Sequence, residues 1–254
     1  MDQPLVWLVL GLGLGPLIGS FVGLVSLRWP AGRGVVLGRS ACGACGRRLG
    51  LIDLIPVVSF LITRGRCRRC GAKIPLRYPL LEAACALLAG WSALTFPGPV
   101  GFLGAFLGWQ LLLLAVLDAE HFWLPRVLTG GLIVTGLATA FWPEPSLAIA
   151  GPSAQVAGAA VGFAGLALIA WLYRRLRGRE GLGGGDPYLL AGGGAWCGIF
   201  ALPSILLIAA GGGLLWALGL RLAGRPLAAD QPLPFGVFLA MGIWLTWLYG
   251  PLGL

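Results

Sequence analysis

The run "PLVWLVLGLGLGPLIGSFVGLVSL", Pro4 to Leu27, holds 24 consecutive residues without one ionisable side chain. As an α-helix it would reach roughly 36 Å, enough to cross a hydrocarbon core about 30 Å thick. Only Asp2 precedes it, with no basic segment, and no clear small-residue cleavage site follows. It therefore reads as a resident span rather than a cleaved signal. The rest of the chain supports the bilayer as its solvent. Of 254 residues 58% are hydrophobic and 11% charged, and the mean hydropathy is +0.89, outside the range of ordinary soluble domains.

The net charge of +9 is confined. All 18 Lys and Arg fall in four windows: eleven in Arg28–Arg77, one at Arg126, four in Arg174–Arg179, and two at Arg221 and Arg225. Basic loops of membrane proteins stay on the cytoplasmic side, so an even number of spans should separate each pair of windows. The apolar stretches between them allow this. Leu80–Leu117 breaks at "FPGPVG", Val127–Tyr173 at "WPEP", and Tyr188–Leu220 near "LPS", Leu202–Ser204. Pro and Gly at such points read as turns between antiparallel helices. With a first span and a last one at Pro234–Tyr249, the expectation is an all-α polytopic membrane protein of about eight transmembrane helices. Both termini would lie outside. The expected division is 1–29 as the first transmembrane helix, 30–77 as a cytoplasmic insert, and 78–254 as a seven-helix membrane core.

The insert contains "CGAC", Cys42–Cys45, and "CRRC", Cys67–Cys70. Two C-x-x-C pairs supply the four sulfurs of a tetrahedral zinc site, a staple for a segment too small to form a secure core alone. Two disulfides or a redox pair are the competing reading, disfavoured in a reducing cytoplasmic loop. Cys85 and Cys197 lie in apolar runs and read as packing residues. The arginines around the cysteines, Arg64, Arg66, Arg68 and Arg69, suit anionic headgroups. No aromatic-interleaved recognition module accompanies them, and nucleic acid is not expected as a partner.

Among the acids, Asp2 and Glu144 are placed outside, Asp53 and Glu180 in cytoplasmic segments, and Glu82 near the start of the second span as a partner for a basic residue. Asp118, in "LDAEHFWLP", and Asp186, in "GLGGGDPYLL", each lie where a long apolar stretch meets a cytoplasmic loop. Two facing carboxyls cannot both ionise cheaply, so one serves as general base on water and the other as general acid toward a leaving amine. Spacing alone leaves other readings open. Asp186 suits the cap of a helix starting at Pro187, and Asp118 an ordinary interfacial charge. His121, the single histidine, reads as interfacial, with orientation of Asp118 the alternative. A phosphate loop is disfavoured because no Lys-Ser/Thr follows the glycines. A solute-conducting relay is disfavoured because the carboxylates cluster at one face, with no midplane charges.

Taken together, "GSF" and "LRWP" after the first span, the block "CGACGRRLGLIDLIPVVSFLITRGRCRRCGAKIPLRYPLLE", "LDAEHFWLP", "GGGD" and "LPFGVFLAMG" carry a resemblance. The chain resembles the bacterial type IV prepilin leader peptidases, membrane aspartyl proteases of the G-x-G-D type. The resemblance covers nearly the whole length and implies a multi-pass protein of the bacterial inner membrane. It implies cleavage of the leader of type IV prepilins and type II secretion pseudopilins after a glycine, at the cytoplasmic membrane face. It further implies N-methylation of the new amino terminus with S-adenosylmethionine as cofactor. Carried over residue by residue, it makes Asp118 and Asp186 catalytic and Cys42, Cys45, Cys67 and Cys70 zinc ligands, with no cofactor pocket assigned. Two positions depart from the pattern: Arg126 stands where a second aspartate is usual, and Pro187-Tyr188 where Phe-Lys is common. They motivate the alternative of a catalytically impaired, zinc-stapled pilin-assembly protein.

Overall fold

A computed structural model describes residues 3–35, 40–50, 52–141, 150–179, 181–224 and 233–253. Among them the chain forms α1 (Gln3–Arg28), α2 (Val58–Ile62), α3 (Arg77–Thr95), α4 (Pro99–His121), α5 (Arg126–Ala138), α6 (Pro152–Arg177), α7 (Asp186–Cys197), α8 (Leu202–Leu222) and α9 (Phe235–Tyr249). Apart from two isolated bridges in the insert, no strand pairing occurs among the described residues. The all-α multi-pass architecture holds.

The expected count of eight transmembrane helices is not reached: among the described residues four helices are long and apolar enough to cross a membrane, at Leu5–Arg28, Pro99–His121, Pro152–Arg177 and Ile199–Leu222. The other apolar helices occupy the expected places but fall short for identifiable reasons. Helix α3 opens on Arg77 and carries Glu82 within its 19 residues. Helices α5, α7 and α9 have 13, 12 and 15 residues. The break at "FPGPVG" occurs as expected, with Gly98 at φ 101 between α3 and α4. The next-to-last break falls near "LPS", just before it. Gly198, at φ 81, ends α7, and a 3-10 turn leads to Leu202, where Pro203 sits comfortably in the first turn of α8. The turn expected at Trp142–Pro145, and Asp2, Glu144, Glu180 and Arg225, lie outside the described residues.

The chain divides into two compact units, Met1–Trp109 and Gln110–Leu254. In the first, α1 packs along α3 through a stripe of glycines four residues apart. A Cβ on Gly11 would meet that of Ala89 at 3.2 Å, one on Gly15 the Ala86 backbone at 2.6 Å, and one on Gly19 the backbone at Glu82. Lipid tails are as apolar as leucine, so helices in a bilayer associate through close backbone packing of this kind. Two hydrogen bonds join polar groups inside: Trp109 Nε1 donates to the Cys85 carbonyl at 3.0 Å and Arg77 Nη2 to Ser26 Oγ at 2.6 Å. The thiol of Cys85 is fully buried, as its packing role requires.

In the second unit α7 is the central element, buried along its length except at Tyr188. It packs against α5, α6, α8 and α9. Gly158 and Gly162 of α6 lie against the carbonyls of Gly194 and Leu190, and Gly193 lies against Ile243 of α9. Enclosure by other helices explains how a 12-residue segment can be apolar yet too short to span. Cys197 is buried among these contacts.

The glycine stripe gives a test. Gly19→Val would drive a side chain into the α3 backbone and destabilise the protein by about 1–3 kcal/mol, read as a lower melting temperature in detergent. Gly13→Val, whose Cβ meets nothing within 4 Å, should leave it unchanged. Equal effects of the two would refute this packing.

Candidate active site

Asp118 occupies the last turn of α4, and Asp186 is the first residue of α7. Between α4 and α5 the chain reverses through Phe122, held at φ 49 with its N–H on the Asp118 carbonyl at 2.9 Å. Positive φ is uncommon for such a bulky residue, and here it ends α4 within one turn of the carboxylate. Leu124 then points inward, 7% exposed. A Cβ on Gly185 would strike the Leu124 side chain, and one on Gly236 would lie 3.0 Å from Leu124 Cδ1. One leucine thereby wedges the α4–α5 corner between the N-termini of α7 and α9.

The carboxylates are nearly sealed, Asp118 at 6% exposure and Asp186 at 3%. Asp118 Oδ2 accepts the Val237 N–H of α9 at 3.3 Å, and the Gly236 N–H also turns toward it. Helix α9 begins after Pro234, which has no side-chain acceptor to offer. Asp118 therefore supplies, from another helix, the cap that α9 lacks, at the positive end of its dipole. Gly236 is required for this approach: a Cβ there would lie 2.8 Å from Asp118 Oδ2. Asp186 makes no cap bond to its own helix. Its Oδ2 instead accepts the Gly183 N–H at 3.0 Å, folding the glycine loop back over it. The two carboxylates are near enough for the charge of Asp118 to act on Asp186. Among the described residues neither forms an ion pair.

Other expected neighbours stand elsewhere. His121 faces Glu120 at 3.9 Å and is exposed, so it does not orient Asp118. Glu82 is buried, but it accepts the Val57 backbone N–H at 2.7 Å rather than pairing with a basic side chain. The two departures from the family pattern meet: the Arg126 guanidinium lies 5.5 Å over the Tyr188 ring, which packs edge-on against Phe163 at 4.9 Å. Arg126 opens α5, where the helix dipole disfavours a cation. The ring face supplies a compensating attraction and ties the corner after Asp118 to the turn carrying Asp186.

The four insert cysteines come together, their sulfurs all within 4.8 Å of one another. Cys42 Sγ and Cys70 Sγ are 3.8 Å apart, which matches the edge of a tetrahedron with zinc–sulfur bonds of about 2.3 Å. Each pair sits on the same turn. Gly46 donates to the Cys42 carbonyl and Gly71 to that of Cys67, both at 2.9 Å. Both glycines have positive φ, 66 and 70, so the repeated C-x-x-C-G is a backbone requirement. N–H groups of Cys45 and Ala44 hold the Cys42 thiol below its ordinary value. Those of Cys70 and Arg69 hold Cys67 at about 6, which favours the metal-binding thiolate. Asp53 joins the turns by pairing with Arg47 at 3.0 Å and Arg68 at 3.4 Å. The cluster can hold a metal ion.

Residues 14–96 match the family described as the bacterial peptidase A24 N-terminal domain, and residues 105–218 match the type IV leader peptidase family. The chain is 37% identical to the prepilin leader peptidase/N-methyltransferase of Pseudomonas aeruginosa over 98% of its own length and 92% of that protein. It belongs to the type IV leader peptidase family. The like-named proteins of Dickeya chrysanthemi and Dichelobacter nodosus are 38% and 40% identical, covering 97% and 83% of this chain and 95% and 71% of those proteins. No solved structure matches the chain. Both aspartates fall in the second matched segment, and all four cysteines in the first. The α9 cap on Asp118 lies beyond both, and no spacing rule in the sequence points to it. Its one trace is "LPFGVF", a helix start whose glycine has no turn to serve.

Gly236→Ala tests the approach of α9 to Asp118. A methyl group there displaces the carboxylate, and a misplacement of this size is expected to slow leader cleavage about a hundredfold. Gly131→Ala, in open space, should retain the rate. Full activity in Gly236→Ala would separate Asp118 from α9.

Proposed function

We propose that this protein is a membrane aspartyl endopeptidase that removes the leader of type IV prepilins and pseudopilins after a glycine. The observation that carries the reading is a pair of buried carboxylates, Asp118 and Asp186, near enough for the charge of one to act on the other, with no cation paired to either among the described residues. Under these conditions one carboxylate is ionised and the other protonated. The ionised member takes a proton from water as the oxygen attacks the peptide carbonyl. The protonated member delivers its proton to the departing amine, so no covalent acyl-enzyme forms. The Gly183–Gly185 loop gives an extended substrate backbone room to approach Asp186. The relatives' names add N-methyltransferase activity, and we extend it to this chain, with S-adenosylmethionine as methyl donor to the new amino terminus.

The accompanying arrangement is a multi-pass bacterial inner-membrane protein with both termini outside. The charge map supports a cytoplasmic active site and insert. The division at 1–29, 30–77 and 78–254 separates the first membrane helix, the zinc insert and the peptidase core. Zinc would be held by Cys42, Cys45, Cys67 and Cys70 as a structural ion joining the two turns. Lipid and prepilins are the partners; nucleic acid is not.

Purified protein in detergent, incubated with a prepilin and followed by mass spectrometry, should release the leader. Asp118→Asn and Asp186→Asn should each lose at least about a hundredfold in rate while keeping the wild-type melting temperature. Wild type that leaves the prepilin uncut would overturn the peptidase reading. Metal analysis should find about one zinc per chain, and Cys67→Ser should lose it with a lower melting temperature. Zinc far below stoichiometry with the cysteines oxidised in pairs would overturn the metal assignment.

A further inference from the structure

The short helix α2 of the insert wears its apolar side outward. Ser59, Phe60 and Thr63 line a cavity bounded by α1, α3 and the cysteine turns. The opposite side carries Val58, Leu61 and Ile62, spaced i, i+3 and i+4 as one helical stripe. These three are 47%, 67% and 67% exposed, and Ile52 and Ile55 just before them are exposed as well. Outward aliphatic groups gathered in one short segment mark an interaction surface.

Two backbone ties fix the level of α2. The Val57 N–H, at its start, bonds Glu82 of α3 at 2.7 Å. Just past its end, the Gly65 carbonyl accepts the Ile74 N–H at 2.7 Å. Val57 is held at φ 58, a conformation that β-branched residues strongly disfavour. Such strain persists only where the surrounding structure imposes it. Glu82 lies within α3, past its start at Arg77, by roughly 7.5 Å along the helix axis. Helices α1 and α3 are antiparallel, since Gly11 meets Ala89 and Gly19 meets Glu82. Both ends of the insert therefore leave the same end of this pair, and α2 is held beside that end rather than on a stalk beyond it. From the same level α3 exposes Leu80, Leu87 and Leu94, a stripe repeating every seven residues that lipid tails would cover.

We propose that the outward face of α2 is an interfacial anchor, seated in the headgroup boundary of the leaflet where α1 ends. A five-residue helix is too short to hold a membrane surface alone, and the ties to Glu82 and Ile74 place it there. Arg64 and Arg69 follow directly, are exposed, and form no ion pair among the described residues. An apolar face with basic residues beside it suits an anionic bilayer surface. The anchor would lay the cysteine cluster against the membrane instead of leaving the insert free in the aqueous phase. The competing occupant is a protein, either a second copy of this chain or an apolar substrate helix. The bilayer is favoured because the surface starts at the level of the lipid-facing stripe of α3 and carries its own cations.

Photo-crosslinking of the full chain in nanodiscs of phosphatidylethanolamine and phosphatidylglycerol tests the anchor. With p-benzoylphenylalanine in place of Leu61, illumination should add the mass of one phospholipid to the chain. Adding Val58→Asp and Ile62→Asp to that chain should lower the adduct yield about tenfold or more, with the melting temperature unchanged. No lipid adduct, or a yield that the two aspartates leave unaltered, would overturn the proposal. Crosslinking to a second copy, or to an added prepilin in place of lipid, would assign the face to protein and likewise overturn it. Leader cleavage is no part of the readout, so this result stands or falls separately from the peptidase reading.

Discussion

The geometry of the second unit depends on the contact between Asp118 and the uncapped start of α9. The first N–H groups of a helix have no intrahelical partner, and one left buried and bare costs about 1–3 kcal/mol. Pro234 offers only its carbonyl, 3.3 Å from the Val237 nitrogen, and Asp118 of α4 accepts the same N–H with its Oδ2 at 3.3 Å. The bond fixes a carboxylate where the interior would otherwise exclude it. Leu124 completes the constraint by filling the space beside Gly185 and Gly236, holding the corner after α4 against the starts of α7 and α9 together. Asp186 follows Gly185 directly, so the wedge that seats Asp118 also sets the position of its counterpart.

This arrangement makes two costly groups useful. Carboxylates buried to 6% and 3% exposure gain nothing for folding unless hydrogen bonded. Each here holds a backbone N–H, and neither is neutralised by a cation among the described residues. A lysine or arginine in contact would stabilise ionised forms and remove the shared-proton state that acid–base chemistry needs. Arg126 comes close to the site but is engaged by the face of Tyr188. Its charge therefore serves to bind the α5 start to the α7 start.

Much of the fold was legible from residue patterns because bilayer insertion imposes simple rules. Uninterrupted apolar runs placed the helices, and Pro-Gly clusters placed the Phe96–Gly101 turn. Length was harder to read. Helix α7 is apolar, yet it is short and enclosed, and its end is set by Gly198 rather than by the proline five residues later. The aspartates and cysteines were legible as residue types at helix edges and in C-x-x-C spacing. Their partners were not. The α9 amides, the Leu124 wedge, the Glu82–Val57 bond and the Arg126–Tyr188 contact all join segments distant in sequence, and nothing local encodes such pairings. Glu82 illustrates the limit: its burial was foreseeable from an apolar helix, but its partner is a strained backbone amide 25 residues away.

The central claim is that Asp118 and Asp186 act as one unit. The most direct measurement is a double-mutant cycle on leader-cleavage rate with Asp118→Asn, Asp186→Asn and the pair combined. Groups that share one proton and one step lose their function together, so the double variant should be no slower than the slower single variant. Losses that multiply would show two carboxylates acting independently and would contradict the dyad.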